Sequence, residues 1–162
     1  MIIRKMKEDD IENVAKIYLE CFHGMNDIDI VKEWIRLKYL GYPANRYYVI
    51  DDGRIKGYIL WVELGGFRKD AVIELEQIAV TPKEQGKGLG SKLIKESLKD
   101  IIKKLEIRGS RLKLVKVTTG IENQAQKLYK KTLNAKPVAV IPDFFRGDEV
   151  ILIARSKDLN IN

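Results

Sequence analysis

Three glycines stand at alternate positions in the stretch EQGKGLGSKLIKE: Gly86, Gly88 and Gly90. A glycine in a helix costs roughly 1 kcal/mol relative to alanine, so three of them at the mouth of a helical pattern need a compensating use. Without Cβ atoms the main chain can turn successive N–H groups toward a bound anion. The helix that follows adds the partial positive charge of its amino terminus. The spacing favours a phosphate cradle, with ordinary turn glycines as the plainer alternative. Two common phosphate loops do not fit. Counted from Gly86, Ser91 stands where a Walker loop needs its second glycine, and it also breaks G-x-G-x-x-G.

Upstream, Glu74 and Glu76 alternate with Ile73, Leu75 and Gln77. As a strand, this places both carboxylates on one face and Gln77 on the other. Cys21 and His23 are two residues apart and cannot face each other on a helix, which excludes them as a nucleophile pair. One histidine and one cysteine are too few soft ligands for a structural zinc site, so no metal is expected.

The elements that must position these residues follow from periodicity. MIIRKM reads as a strand, and EDDIENVAKIYLECF as a helix with Ile11, Val14, Ala15 and Tyr18 on one face. A second helix, around residues 30–40, presents Val31, Trp34 and Ile35, and GYP ends it. RYYVIDDGRIKGYILWVEL is a hairpin about DDG, and AVIELEQIAV is a long strand closed by Pro82. From Leu89 a helix carries Leu93, Ile94, Ile101, Ile102 and Leu105 as one stripe. RLKLVKVTT is a strand, ENQAQKLYKKTL a helix, and KPVAVIP with EVILIARS a strand pair about RGD. The order is β, two helices, three strands, helix, strand, helix, two strands. It predicts an α/β (α+β) domain of three layers, with helices flanking a mixed central β-sheet.

A chain of 162 residues reads as one domain, 1–162, with room for a real core. Hydrophobic residues at 45% and charged residues at 33% exclude a disordered chain. The single cysteine makes a reducing cytoplasm the default compartment. There is no signal-peptide pattern, and the apolar runs are far short of the roughly 20 residues a membrane span needs, so no membrane partner is expected. A net charge of +7 suits anionic partners, but the lysines are dispersed without aromatic interleaving, which argues against nucleic acid.

With these elements in place, Gln85-x-x-Gly88-x-Gly90, preceded by LEQIAVTP, resembles the acetyl-CoA signature of the GNAT superfamily of N-acetyltransferases. Downstream, ENQAQKLYKK is similar to that family's helix of Asn, Ala and Tyr through Asn123 and Tyr129, with Ala125 two residues after Asn123 where the family commonly has three, and the usual following Gly-Phe replaced by LNAKP. PDFFRGDEVILIA is similar to the terminal hairpin of several protein acetyltransferases, with Phe144 and Phe145 at its aromatic positions. The resemblance covers almost the whole chain. It implies a GNAT-like acyl-CoA N-acyltransferase fold, acetyl-CoA as cosubstrate, and direct transfer of acetyl to a primary amine.

Carried over residue by residue, the resemblance places the diphosphate on the main chain of Gln85, Gly86, Lys87, Gly88, Leu89 and Gly90, with Ser91 close by. The pantetheine arm pairs with the main chain of Ile78, Ala79 and Val80, where the strand splays from KLVKVTT. The Ile78 N–H polarises the thioester carbonyl, and Asn123 helps hold the arm. A lysine amine spends roughly 4–5 kcal/mol to deprotonate at pH 7, an α-amine only about 1, so a carboxylate base is worth most to the former. Glu74 falls where histone-type members carry their base, and Glu76 where several small-amine acetyltransferases have a glutamate. Thr118 replaces the base of the ribosomal-protein enzymes. Tyr129 matches the general acid, although a core tyrosine would fit the same helix. Asp27 and Asp29, in the segment that often shapes the acceptor pocket, either attract the amine or cap a helix.

The acceptor these features favour is a protein or peptide α- or lysine amine, then a small amine or polyamine. A homodimer is compatible with the reading. Two other classes stay open on the sequence: a non-catalytic acyl-CoA-binding or regulatory domain, and a basic nucleic-acid-binding protein whose binding would fall steeply with salt.

Overall fold

The computed structural model describes residues 1–161. The chain runs β1 (Ile2–Lys5), α1 (Ile11–Cys21), α2 (Ile28–Leu40), β2 (Asn45–Asp51), β3 (Ile55–Leu64), β4 (Asp70–Val80), α3 (Leu89–Ile107), β5 (Arg111–Gly120), α4 (Ala125–Leu133), β6 (Lys136–Ile141) and β7 (Glu149–Arg155). This is the element order that the periodicity predicts. The strands form one sheet in the order β1-β2-β3-β4-β5-β7-β6. Only β4 and β5 are parallel, joined by the crossover helix α3; every other pair is antiparallel.

Each sheet face is covered, which gives the three layers. On one side Leu93, Ile94, Leu98, Ile101 and Leu105 of α3, with Tyr129 and Leu133 of α4, pack on Tyr48, Ile50, Ile59, Trp61, Ile73 and Leu75. The other side sets Val14, Ala15 and Ile17 of α1 and Val31 and Ile35 of α2 on Tyr47, Val49, Tyr58 and Leu60. Alternation along β2 and β3 sends successive aromatic and aliphatic residues to opposite cores, as the period of two requires. Trp34 departs from the expected core face of α2. It is 36% exposed, because α2 turns Val31 and Ile35 inward and leaves Trp34 on the flank.

Two irregularities shape the sheet. Leu60 faces Gln77 while Trp61 faces Leu75, so Glu76 is an extra residue, a bulge in β4. Beyond it the alternation changes phase, and Gln77 joins Glu76 on the α1/α2 face instead of opposing it. This corrects the simple alternation read from the sequence. The second irregularity is a fork. Pairing of β4 with β5 ends at Leu75 opposite Val117, yet β4 continues to Val80 and β5 to Gly120. The free stretch of β4 stays paired with β3, and that of β5 with β7.

Candidate active site

The fork opens a cleft of about 570 Å³, bounded by Glu76 to Val80 on one arm, Thr118 and Thr119 on the other, the glycine loop at one end and α4 along its side. Main-chain direction in β4 follows from its partners. The Ala79 carbonyl points at Gly57 of β3 and the Thr81 N–H bonds the Lys56 carbonyl. Alternation therefore turns the polar groups of Ile78 and Val80 away from β3, into the fork. The Val80 carbonyl confirms the direction, since it accepts from Gln85 Nε2 at 2.9 Å and from Cys21 Sγ at 3.4 Å.

Each glycine of the loop has its own reason. Gly86 and Gly88 both have φ of 77°, the left-handed region that an L side chain occupies only under strain, and a Cβ on either would project into open space. Gly90 lies inside α3, where a Cβ would come within 3.2 Å of Leu128 Cδ2; it lets α4 approach. Gly88 caps α3 without a side-chain hydrogen bond, and the first turn of α3 holds no acidic residue. The N–H groups there thus remain free for an anion. Ser91 at the cleft wall shares a hydrogen bond with Thr132 at 2.7 Å. A diphosphate fits this geometry, with left-handed glycines, an uncapped helix start, and no Cβ in the way.

Of the two candidate bases, the structure brings one to the cleft. Glu76 lines it and its carboxylate pairs with Lys38 Nζ of α2 at 3.1 Å. Glu74 lies below the fork, where β4 and β5 are still paired, and is bound to Lys116 Nζ at 2.8 Å. Tyr129 reaches the cleft from α4, and its phenol makes no hydrogen bond among the described residues. Burial pushes that phenol up to about 12, so it keeps its proton throughout the neutral range. Leu89 also lines the cleft, whereas the Lys87 side chain leans out to Glu84 at 3.0 Å.

Asn123 lines the cleft and also accepts the Ala125 N–H at 2.9 Å, which is why α4 starts later than its pattern suggests. Asp27 is a helix cap: its carboxylate accepts the N–H groups of Asp29 and Ile30 and starts α2 two residues before the expected boundary. Burial, and then the charge of Glu20, push the Cys21 thiol up, the opposite of what a nucleophile needs. Phe144 and Phe145 stack edge-on at 4.5 Å and stand outside the cleft.

Some features in and around the cleft were not legible in sequence. Gln77 reaches the cleft only through the bulge, and Tyr58 Oη holds it at 3.0 Å. Thr118 presents a buried hydroxyl with no partner among the described residues. Glu149 sits across from Gly120, its carboxylate 3.9 Å from where a Cβ there would lie, and burial pushes its carboxyl up from the ordinary value. Among the described residues no three metal-ligating side chains converge, and no helix is long and apolar enough to cross a membrane.

The sequence pattern of the acetyltransferase (GNAT) family matches residues 11–134. An uncharacterized N-acetyltransferase of Archaeoglobus fulgidus is 25% identical over 107 residues, 60% of this chain and 71% of that protein. One from Methanocaldococcus jannaschii is 24% identical over 153 residues, 89% of this chain but 64% of that longer protein. Among solved structures, a spermidine N-acetyltransferase variant of Vibrio cholerae superposes with a TM-score of 0.74 at 19% identity, covering 99% of this chain and 98% of that one. Ard1 of Thermoplasma volcanium gives 0.71 at 15%, covering 94% and 95%. At such identities these structures speak for the fold, while the family match spans most of the chain and includes the forked strands and the glycine loop. The chain belongs to the GNAT family of acetyl-CoA-dependent acyltransferases.

Proposed function

We propose that the protein is an N-acetyltransferase that moves acetyl from acetyl-CoA directly to a primary amine, a peptide or protein amine first. The observation that carries this reading is the fork. It exposes the inward polar groups of Ile78 and the N–H of Val80 between a glycine cradle at one end and Glu76 and Tyr129 on its walls. Acetyl-CoA supplies the activated acetyl thioester. The free N–H groups at Gly86 to Gly90 hold its diphosphate, and Ser91 and Asn123 stand beside the path of the arm. The Ile78 N–H is aimed to take up negative charge on the carbonyl oxygen. Glu76 accepts the proton of the incoming amine, directly or through water. Tyr129, still protonated at neutral pH, gives its proton to the departing sulfur. Cys21 is half-buried and its thiol is pushed up by that burial, which supports transfer without an acyl-enzyme.

Titration calorimetry with acetyl-CoA, followed by initial rates against an amine panel, tests the proposal. Micromolar binding and intersecting double-reciprocal lines are expected. Parallel lines would overturn direct transfer, and a folded protein that takes up no acetyl-CoA would overturn the whole reading. A polyamine acceptor is the second reading, suggested by the spermidine N-acetyltransferases of the same fold, and spermidine belongs in the panel.

A further inference from the structure

Beside the cleft, on the α1/α2 face of the sheet, lies a smaller cavity of about 290 Å³ lined by Tyr18, Met25, Ile30, Val31, Trp34 and Gln77. Its lining is aromatic and aliphatic apart from the Gln77 amide, the Tyr18 hydroxyl and the Trp34 indole N–H, and Gln77 also lines the cleft. The two cavities therefore meet at the bulge of β4, where Glu76 and Gln77 share a face. Met25, Ile30 and Trp34 are 41%, 48% and 36% exposed, an apolar wall left open beside a carboxylate. Lys38 marks the junction. Its Nζ is 3.1 Å from Glu76 and 5.4 Å from the centre of the Trp34 ring, so a cationic nitrogen already rests between the carboxylate and the apolar wall.

From this geometry we infer that the acceptor is a primary amine carrying a large apolar group next to its nitrogen, with that group seated among Met25, Ile30 and Trp34 and the nitrogen at Glu76 in place of Lys38 Nζ. The inference rests on the acetyltransfer reading and narrows its acceptor. Lys38 comes from the last turn of α2 with a partly exposed side chain, free to swing into solvent when another cation takes its place. Charge argues against a polyamine. Both carboxylates lining the cleft are already paired, Glu76 with Lys38 and Glu84 with Lys56 and Lys87, and the smaller cavity is lined by no acid. No carboxylate lining either cavity is left free for a second and third ammonium, whereas an apolar group leaves water on entering.

The chemistry has two sources, a peptide amino terminus beginning with a large apolar residue and a small arylalkyl amine. The test compares tetrapeptides beginning with Met or Gly, phenethylamine with ethylamine, and spermidine with Nα-acetyl-lysine, all at saturating acetyl-CoA. The apolar member of at least one of the first two pairs should lead in kcat/KM by about ten- to a hundred-fold, the range for burying one large apolar side chain. Trp34→Ala should erase most of that lead through KM, and Trp34→Phe should keep most of it. Phenethylamine added to the coenzyme A complex should shift emission of Trp34 to the blue, with no shift in Trp34→Phe. Only Trp61 would then remain to emit, buried against Ser97.

Preference for spermidine or Nα-acetyl-lysine, or an equal loss for Met- and Gly-first peptides in Trp34→Ala, would overturn the inference alone. If no amine turned over while acetyl-CoA still bound by calorimetry, the acetyltransfer reading would fall and this inference with it.

Discussion

Glu76 and Tyr129 carry the sharpest tests because they face the same cleft from opposite sides of the fork. Glu76→Gln keeps the shape of the side chain and removes the proton acceptor. It should lower kcat by about 10²–10⁴, the usual contribution of a general base, and the deficit should narrow as rising pH deprotonates the acceptor by itself. Glu74→Gln, below the fork and tied to Lys116, should stay within a few-fold of the parent. A comparable loss in both variants would show that the base is not chosen by the fork. Tyr129→Phe should lower kcat with little change in acetyl-CoA affinity. Its sign with pH is fixed by burial. The folded phenol sits above its unfolded value near 10, so its neutral form favours folding fully below pH 10, and that contribution is lost as pH rises toward about 12. A pH–rate profile with a falling limb below pH 9 would have to come from another group.

Among the elements, the loop into α3 separates binding from folding. Gly88→Ala places a Cβ at a left-handed position, φ 77° and ψ 4°, costing about 1–2 kcal/mol of strain but meeting no atom of the protein. For a chain of this size that lowers Tm by roughly 2–8 °C. The Cβ points into the space assigned to the diphosphate, so calorimetry should show at least a ten-fold loss of acetyl-CoA affinity in a protein that still folds. Gly90→Ala has the opposite signature. Its new methyl presses on Leu128 at 3.2 Å, against the roughly 1 kcal/mol that alanine gains over glycine inside a helix. Gly90→Ala/Leu128→Ala should cost less than the two single changes summed, a coupling that a thermal double-mutant cycle measures.

At the scale of the whole molecule, β2, β3 and the end of α3 are tied together by buried charge. The Glu63 side chain is fully buried and accepts from Arg46 at 3.3 Å and from Arg108 at 2.5 Å. Arg46 is itself buried, and its Nε and Nη1 lack partners among the described residues. Glu63→Gln would leave that guanidinium without its counter-charge, a change worth about 3–5 kcal/mol. Thermal unfolding should show Tm falling by roughly 10 °C, while acetyl-CoA affinity of the folded fraction is unchanged because the network lies outside the cleft. With a net charge of +7, affinity for the anionic coenzyme should also weaken as salt rises from 50 to 500 mM, about as expected when the Debye length shrinks below roughly 10 Å.

Sequence alone determined the order of the elements, the apolar stripes of α1 and α3, and the place of the glycine loop before α3. Each of these depends on neighbours within a few positions: a helical or strand period, a turn signal, a glycine with no side chain to strain. Tertiary structure decided which carboxylate meets the cleft, that Gln77 turns to the same face as Glu76, and that Trp34 opens a pocket instead of filling a core. Those outcomes rest on a bulge in β4 and on the point where β4 parts from β5. Both are properties of the register between strands that lie far apart in the chain. A local period of two gives each side chain a face, but only the pairing partner says where that alternation breaks.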